Sequence, residues 1–188
     1  MEAFLISTGI VALAEIGDKT QLLALVLAAQ FRKPVPIILG ILVATLANHF
    51  LAGATGAWVA SLVGPDLMRW ILGLSFIAMA VWMLIPDELD EDGDKDTTPR
   101  FGVFGTTVIA FFLLEMGDKT QIATVALAAK YTSLVAVVSG TTLGMMLANV
   151  PAVLLGDVAA KKLPMQVVHR IAAAIFLALG VSVLLVRG

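Results

Sequence analysis

Glu15-Ile16-Gly17-Asp18-Lys19-Thr20 and Glu115-Met116-Gly117-Asp118-Lys119-Thr120 are two copies of one hexapeptide, one hundred residues apart and each set inside an apolar stretch. The likeness continues: residues 15–31 read EIGDKTQLLALVLAAQF and residues 115–131 read EMGDKTQIATVALAAKY. Further on, Gly40 and Asn48 answer Gly140 and Asn149 with one residue of slippage, and Ile71, Phe76, Ala78 and Val81 recur as Ile171, Phe176, Ala178 and Val181. The chain reads as a duplication. A carboxylate at the centre of a lipid-embedded helix costs about 3 kcal/mol on the lower estimates. Two acids repeated in two apolar stretches therefore need a compensating role, and binding a cation is the simplest.

The surrounding sequence is membrane-like. Of the 188 residues, 60% are hydrophobic and 14% charged, with mean hydropathy +0.99, against about 45–50% apolar residues in soluble domains. There is no cysteine, so no disulfide framework and no thiolate metal site. Of the fourteen acids, seven lie in residues 87–100 and four in the hexapeptides; Glu2, Asp66 and Asp157 fall near segment ends. The four motif carboxylates are thus the acids expected deep in the bilayer.

A membrane helix needs about 20 mostly apolar residues. Six segments qualify: Phe4–Ala29, Val35–Leu62, Leu67–Ile85, Val103–Ala129, Leu134–Val158 and Val167–Leu185. The expected fold is an all-α polytopic membrane protein with six transmembrane helices. Residues 1–86 form the first three-helix repeat, 87–100 an acidic cytosolic linker, and 101–188 the second repeat. Consecutive repeats with an odd number of spans enter the membrane from opposite sides, so the repeats are inverted, as in many secondary transporters. Lys and Arg divide seven (Arg32, Lys33, Lys95, Arg100, Lys161, Lys162, Arg170) against three (Arg69, Lys130, Arg187) between the two sides. The positive-inside rule then places both termini outside and the linker in the cytosol. Met1-Glu2-Ala3-Phe4 lacks a basic signal-peptide start, so the first span is expected to be retained.

On one continuous helix, Glu15 and Asp18 would share a face, and Lys19 would follow Glu15 in the favourable i,i+4 order; Glu115, Asp118 and Lys119 repeat this. Gly17 and Gly117 would permit either close helix approach or a local break that exposes backbone to a cavity. If the halves face each other, four carboxylates converge against two lysines, and one divalent cation neutralises the set. Without it, like charges in a low dielectric take up protons, so ion and protons compete for one site. Oxygen donors suit Mg²⁺, Ca²⁺ and Mn²⁺. Gln21, Gln121, Asn48 and Asn149 could add amide oxygens, or could instead serve helix–helix hydrogen bonding. Lys19 and Lys119 are charge-compensating, as fixed counter-ions or as switches. Met146, three residues before Asn149, raises a thioether and with it a tilt toward Mn²⁺.

At these residues the chain resembles the MneA-type bacterial manganese exporters and the Golgi Gdt-type cation:proton antiporters, through the duplicated E-x-G-D-[KR]-[ST] signature, two three-span halves and an acidic central loop. The resemblance covers nearly the whole chain. It implies export of divalent cations, most readily Mn²⁺ and also Ca²⁺, in exchange for protons, across a bacterial inner membrane. Glu15, Asp18, Glu115 and Asp118 take the places of the family's motif carboxylates. The ion is substrate; no cofactor is implied. Partners are the divalent ion, protons and the lipid bilayer, with no nucleic acid; a homo-oligomer stays open.

The wider group of small exporters includes lysine exporters, so an organic cation or amino acid is the alternative cargo, although four clustered acids fit a small ion better. An intramembrane aspartyl protease built on Asp18 and Asp118 lacks Gly-x-Gly-Asp, because residues 15 and 115 are Glu. His49 reads as a packed residue before a proton relay, His169 as interfacial, and Gly140-x-x-x-Gly144 as internal packing before a dimer face. The acidic run Asp87–Asp96 fails the calcium-loop spacing and reads as a solvated linker.

Overall fold

The structure, a computed structural model, describes residues 1–85, 101–155 and 165–185. The acidic linker and the Asp157, Lys161 and Lys162 positions lie outside the described residues. Among those described there are eight helices and no strand: α1 Glu2–Glu15, α2 Lys19–Phe31, α3 Pro34–Leu62, α4 Pro65–Trp82, α5 Gly102–Glu115, α6 Lys119–Lys130, α7 Leu134–Leu155 and α8 Met165–Leu185. Four are long and apolar enough to cross a membrane: Pro34–Leu62, Pro65–Trp82, Leu134–Leu155 and Val167–Leu185; α2 and α5 are shorter apolar helices. Local chemistry sets several ends. Prolines occupy the first turns of α3 and α4, where a missing N–H does no harm. Arg32 adopts φ 52° and closes α2 with its N–H on the Ala28 carbonyl. The outward faces carry large apolar side chains such as Phe50, Trp58, Trp70, Leu147 and Ile171, a surface suited to lipid rather than water.

The expected spans Phe4–Ala29 and Val103–Ala129 are not continuous helices. Each is interrupted inside the hexapeptide. α1 stops at Glu15, Ile16 is extended (φ −64°, ψ 117°), Gly17 has φ 83°, and Asp18 (φ −79°, ψ 167°) precedes α2. The second copy repeats these angles: Met116 φ −64°, ψ 119°; Gly117 φ 78°; Asp118 φ −78°, ψ 167°. The shared helical face for Glu15 and Asp18, and the i,i+4 pairing of Glu15 with Lys19, are thereby overturned. The reason is local. A residue in the left-handed region cannot continue a right-handed helix, and glycine adopts that region at no steric cost. Of the two roles considered for these glycines, the break is the one realised.

The uninterrupted helices α3 and α7 brace the breaks. Along α7, Gly140 lies against Phe4 and Ser7 of α1, and Gly144 against Thr8 and Ala12, so this glycine pair is internal packing. The end of α7 meets α2. Along α3, Gly40 lies against Phe104 and Thr107 of α5, then Gly53 and Gly56 against Ala128 and Val125 of α6. Small residues let these backbones approach closely where no hydrophobic effect drives helices together. α4 and α8 pack on each other through Gly73 against Leu184 and Gly180 against Ile77, with Phe76 and Phe176 rings 6.3 Å apart. Each interrupted pair is therefore held by the long helix of the other half, which brings the two breaks into one interior.

Candidate metal centre

Interrupting a helix strands backbone groups that must be satisfied away from water. Gln21 and Gln121 do part of this. Each accepts, through its side-chain Oε1, the N–H of the positive-φ glycine four residues before it: Gly17 at 2.9 Å and Gly117 at 2.7 Å. Gln21 Nε2 also donates to the Ala148 carbonyl at 3.0 Å, tying the first break to α7. The Asp18 and Asp118 N–H groups reach back to the carbonyls of Glu15 and Glu115, both at 3.1 Å. The Gln21 and Gln121 side-chain oxygens are thus engaged by the backbone of the break.

Glu15, Asp18, Glu115 and Asp118 are all buried. One carboxylate oxygen from each of Glu15, Asp18 and Asp118 falls within 4.8 Å of the other two, so acids of both motifs meet. Glu115 stands outside that trio, and its Oε2 accepts the Thr120 hydroxyl at 3.2 Å. Lys19 crosses between motifs, with Nζ 2.8 Å from Asp118 Oδ1. Lys119 is buried, with Nζ 6.0 Å from the Trp82 ring centre. Asn149 Nδ2 donates to the Met145 carbonyl at 3.1 Å, approaches Met145 Sδ at 3.0 Å, and reaches Glu15 Oε1 at 3.5 Å. Asn48 Nδ2 donates to the Phe112 carbonyl at 3.0 Å.

Several buried oxygens here have no hydrogen-bond partner among the described residues: Glu15 Oε2, Glu115 Oε1, Asp118 Oδ2, Asn48 Oδ1, Asn149 Oδ1 and Thr20 Oγ1. Leaving one buried acceptor unpaired costs about 1–3 kcal/mol, more when it is charged. A hard cation satisfies such oxygens together. Oxygens on opposite sides of a bound ion lie about 4.0–5.2 Å apart, from roughly 2.0–2.1 Å bonds for Mg²⁺ to about 2.3–2.6 Å for Ca²⁺. The trio's oxygens, all within 4.8 Å of one another, fall inside the limit that the larger of these ions sets.

Some contacts were not anticipated. The sulfur beside Asn149 belongs to Met145, while Met146 packs in the apolar cluster around Leu27, Ile37 and Phe111. Four-residue rather than three-residue spacing carries the contact, because Asn149 folds back on its own helix. His169 is not merely interfacial: its Nε2 lies 3.1 Å from the Ile16 carbonyl, a group left open when α1 stops. His49 is fully buried, and both its ring nitrogens lack hydrogen-bond partners among the described residues.

Buried carboxylates gathered where apolar helices are interrupted are the arrangement expected of a membrane transporter. The chain matches the family described as "Divalent cation/proton antiporter GDT1" over residues 3–91 and 103–187, and belongs to it. It is 51% identical over 183 residues to a Vibrio cholerae protein named "Putative manganese exporter", covering 97% of this chain and 90% of that one. It is 28% identical over 206 residues to rice GDT1-like protein 3, covering 96% of this chain and 73% of the relative. Rice GDT1-like protein 4 is likewise 28% identical over 206 residues, with 96% and 72% covered. No solved structure matches the chain.

Proposed function

We propose that this protein exports Mn²⁺, with Ca²⁺ a second cargo, in exchange for protons, through a site shared by the two hexapeptides. The observation that carries the reading is the trio of Glu15, Asp18 and Asp118 oxygens within 4.8 Å of one another, drawn from both motifs. Those three carboxylates are the core ligands. Glu115, Asn48 and Asn149 stand behind them with buried oxygens, and Gln21 and Gln121 hold the breaks open. Manganese as cargo is supported by the Vibrio relative's name and proton exchange by the family description. The α1–α2 and α5–α6 pairs each count as one interrupted crossing. With α3, α4, α7 and α8 this makes six passes in two inverted repeats, with the motifs near the midplane. In this reading the protein lies in a bacterial inner membrane, both termini outside and residues 87–100 in the cytosol.

Asp18→Asn or Asp118→Asn is expected to abolish manganese tolerance in cells lacking their own exporter, although the protein reaches the membrane. Protection equal to wild type by either variant rejects the site. In vesicles, Mn²⁺ flux indifferent to an imposed pH gradient rejects proton exchange. An organic-cation exporter would instead show lysine or a similar solute competing with Mn²⁺ for transport.

A further inference from the structure

The two motif lysines occupy unlike surroundings. Lys19 opens α2 and reaches across to Asp118, which precedes α6; Nζ and Oδ1 are 2.8 Å apart, and the Lys19 side chain remains 24% exposed. Lys119 is 2% exposed and lies beside Trp82 of α4. The hydroxyls differ too: Thr120 is bonded to Glu115, whereas Thr20 Oγ1 has no hydrogen-bond partner among the described residues. Lys19 therefore touches the oxygen trio and has an open flank along which to withdraw, while Lys119 is enclosed.

We propose that Lys19 is a built-in substitute for the transported ion, an inference that rests on the metal-site reading above. With no ion bound, its ammonium neutralises Asp118. A divalent ion entering between Glu15, Asp18 and Asp118 displaces it toward the exposed flank. An ion bonded to Asp118 at about 2.0–2.6 Å would lie within about 5 Å of an ammonium still paired with the same carboxylate. At about 5 Å a double charge repels that ammonium about as strongly as the carboxylate 2.8 Å away attracts it. Both cations cannot remain on Asp118 without penalty, and the lysine is the one with somewhere to go. The exchange also has a mechanical consequence. The ion pair links the start of α2 to the start of α6, and the arriving ion replaces that single link with one made through Glu15, Asp18 and Asp118.

A bracing role predicts the opposite sign. If Lys19 merely held Oδ1 so that Oδ2 could ligate, its removal would weaken ion binding. The test is Mn²⁺ titration of purified full-length protein in nanodiscs, read by loss of the free-ion electron paramagnetic resonance signal, for wild type, Lys19→Gln and Lys19→Arg. Exchange predicts that Lys19→Gln binds Mn²⁺ at least tenfold tighter, with lower KM and lower maximal flux in vesicles, and that Lys19→Arg returns affinity toward wild type. Unchanged or weaker binding by Lys19→Gln overturns the proposal, as does an equal tightening by Lys19→Arg. Should the variants fail to purify, amine labelling of wild type read by mass spectrometry serves instead. Labelling of Lys19 is expected to rise when Mn²⁺ is added, and no rise or protection overturns the proposal. If wild type binds no Mn²⁺ at all, the metal-site reading itself fails; if wild type binds and only the lysine effects are missing, the exchange alone fails.

Discussion

Replacing Gly117 by alanine tests whether the helix break is the functional element. Gly117 has φ 78°, and a Cβ built there meets nothing within 4 Å, so any effect comes through the backbone rather than through a clash. An L-residue in the left-handed region costs about 1–2 kcal/mol, and alanine favours continued helix over glycine by about 1 kcal/mol. The two contributions act in the same direction. Together they bias the chain against the break by about 2–3 kcal/mol, roughly a 30- to 150-fold shift toward a straight helix at about 1.4 kcal/mol per tenfold. A straightened segment rotates successive residues by about 100° each and carries Asp118 away from Glu15 and Asp18. The assay is initial-rate Mn²⁺ uptake into vesicles, normalised to inserted protein, with Gly9→Ala as control. Gly9 lies within α1, is exposed, and has nothing within 4 Å of its built Cβ. Gly117→Ala is expected to lose at least tenfold in rate and Gly9→Ala to stay at wild-type level. Wild-type flux through Gly117→Ala would refute the reasoning, because the break would then be dispensable.

Two further substitutions separate packing from ligation. Gly56→Ala drives a Cβ into the Val125 carbonyl oxygen, so α3 and α6 must move apart; reduced thermal stability in detergent and less folded protein are expected, and an unchanged melting profile contradicts the packing described. Glu15→Gln is expected to weaken Mn²⁺ binding more than Glu115→Gln, by at least tenfold, because Glu15 belongs to the oxygen trio and Glu115 does not; equal losses in a direct binding titration would contradict that ranking.

Much of the helical fold was readable from residue content, because apolar stretches of span length and a hundred-residue repeat need no tertiary information. Whether the helix continues through the hexapeptide was not decided by the sequence. The 3.6-residue period continues smoothly across Glu15 and Asp18, and a single glycine inside an apolar run is compatible with a helix. A signal was present nonetheless. Asp18 followed by Gln21, and Asp118 followed by Gln121, have the N-cap-to-N3 spacing of a capping box, directly after a glycine suited to positive φ. In the structure each glutamine reaches one residue further back than a capping box would, to the glycine N–H. The aspartate side chains cap no helix, and both join the oxygen trio instead. The four acids were legible as a set, but not that Glu115 would turn to Thr120, or that Lys19 would pair across the halves rather than along its own helix. Those choices depend on how α3 and α7 seat the two breaks, which short-range spacing does not encode. The His169 contact with the Ile16 carbonyl was hidden for the same reason: that carbonyl is open only because α1 ends there.

Anomalous diffraction at the manganese edge from crystals grown with Mn²⁺ addresses the central claim most directly. A single strong peak bounded by Glu15, Asp18 and Asp118 is expected, with oxygen distances near 2.2 Å, as befits an ion between Mg²⁺ and Ca²⁺ in bond length, at about 2.0–2.6 Å. Manganese held elsewhere on the protein, with these three carboxylates making no contact to it, would contradict the account.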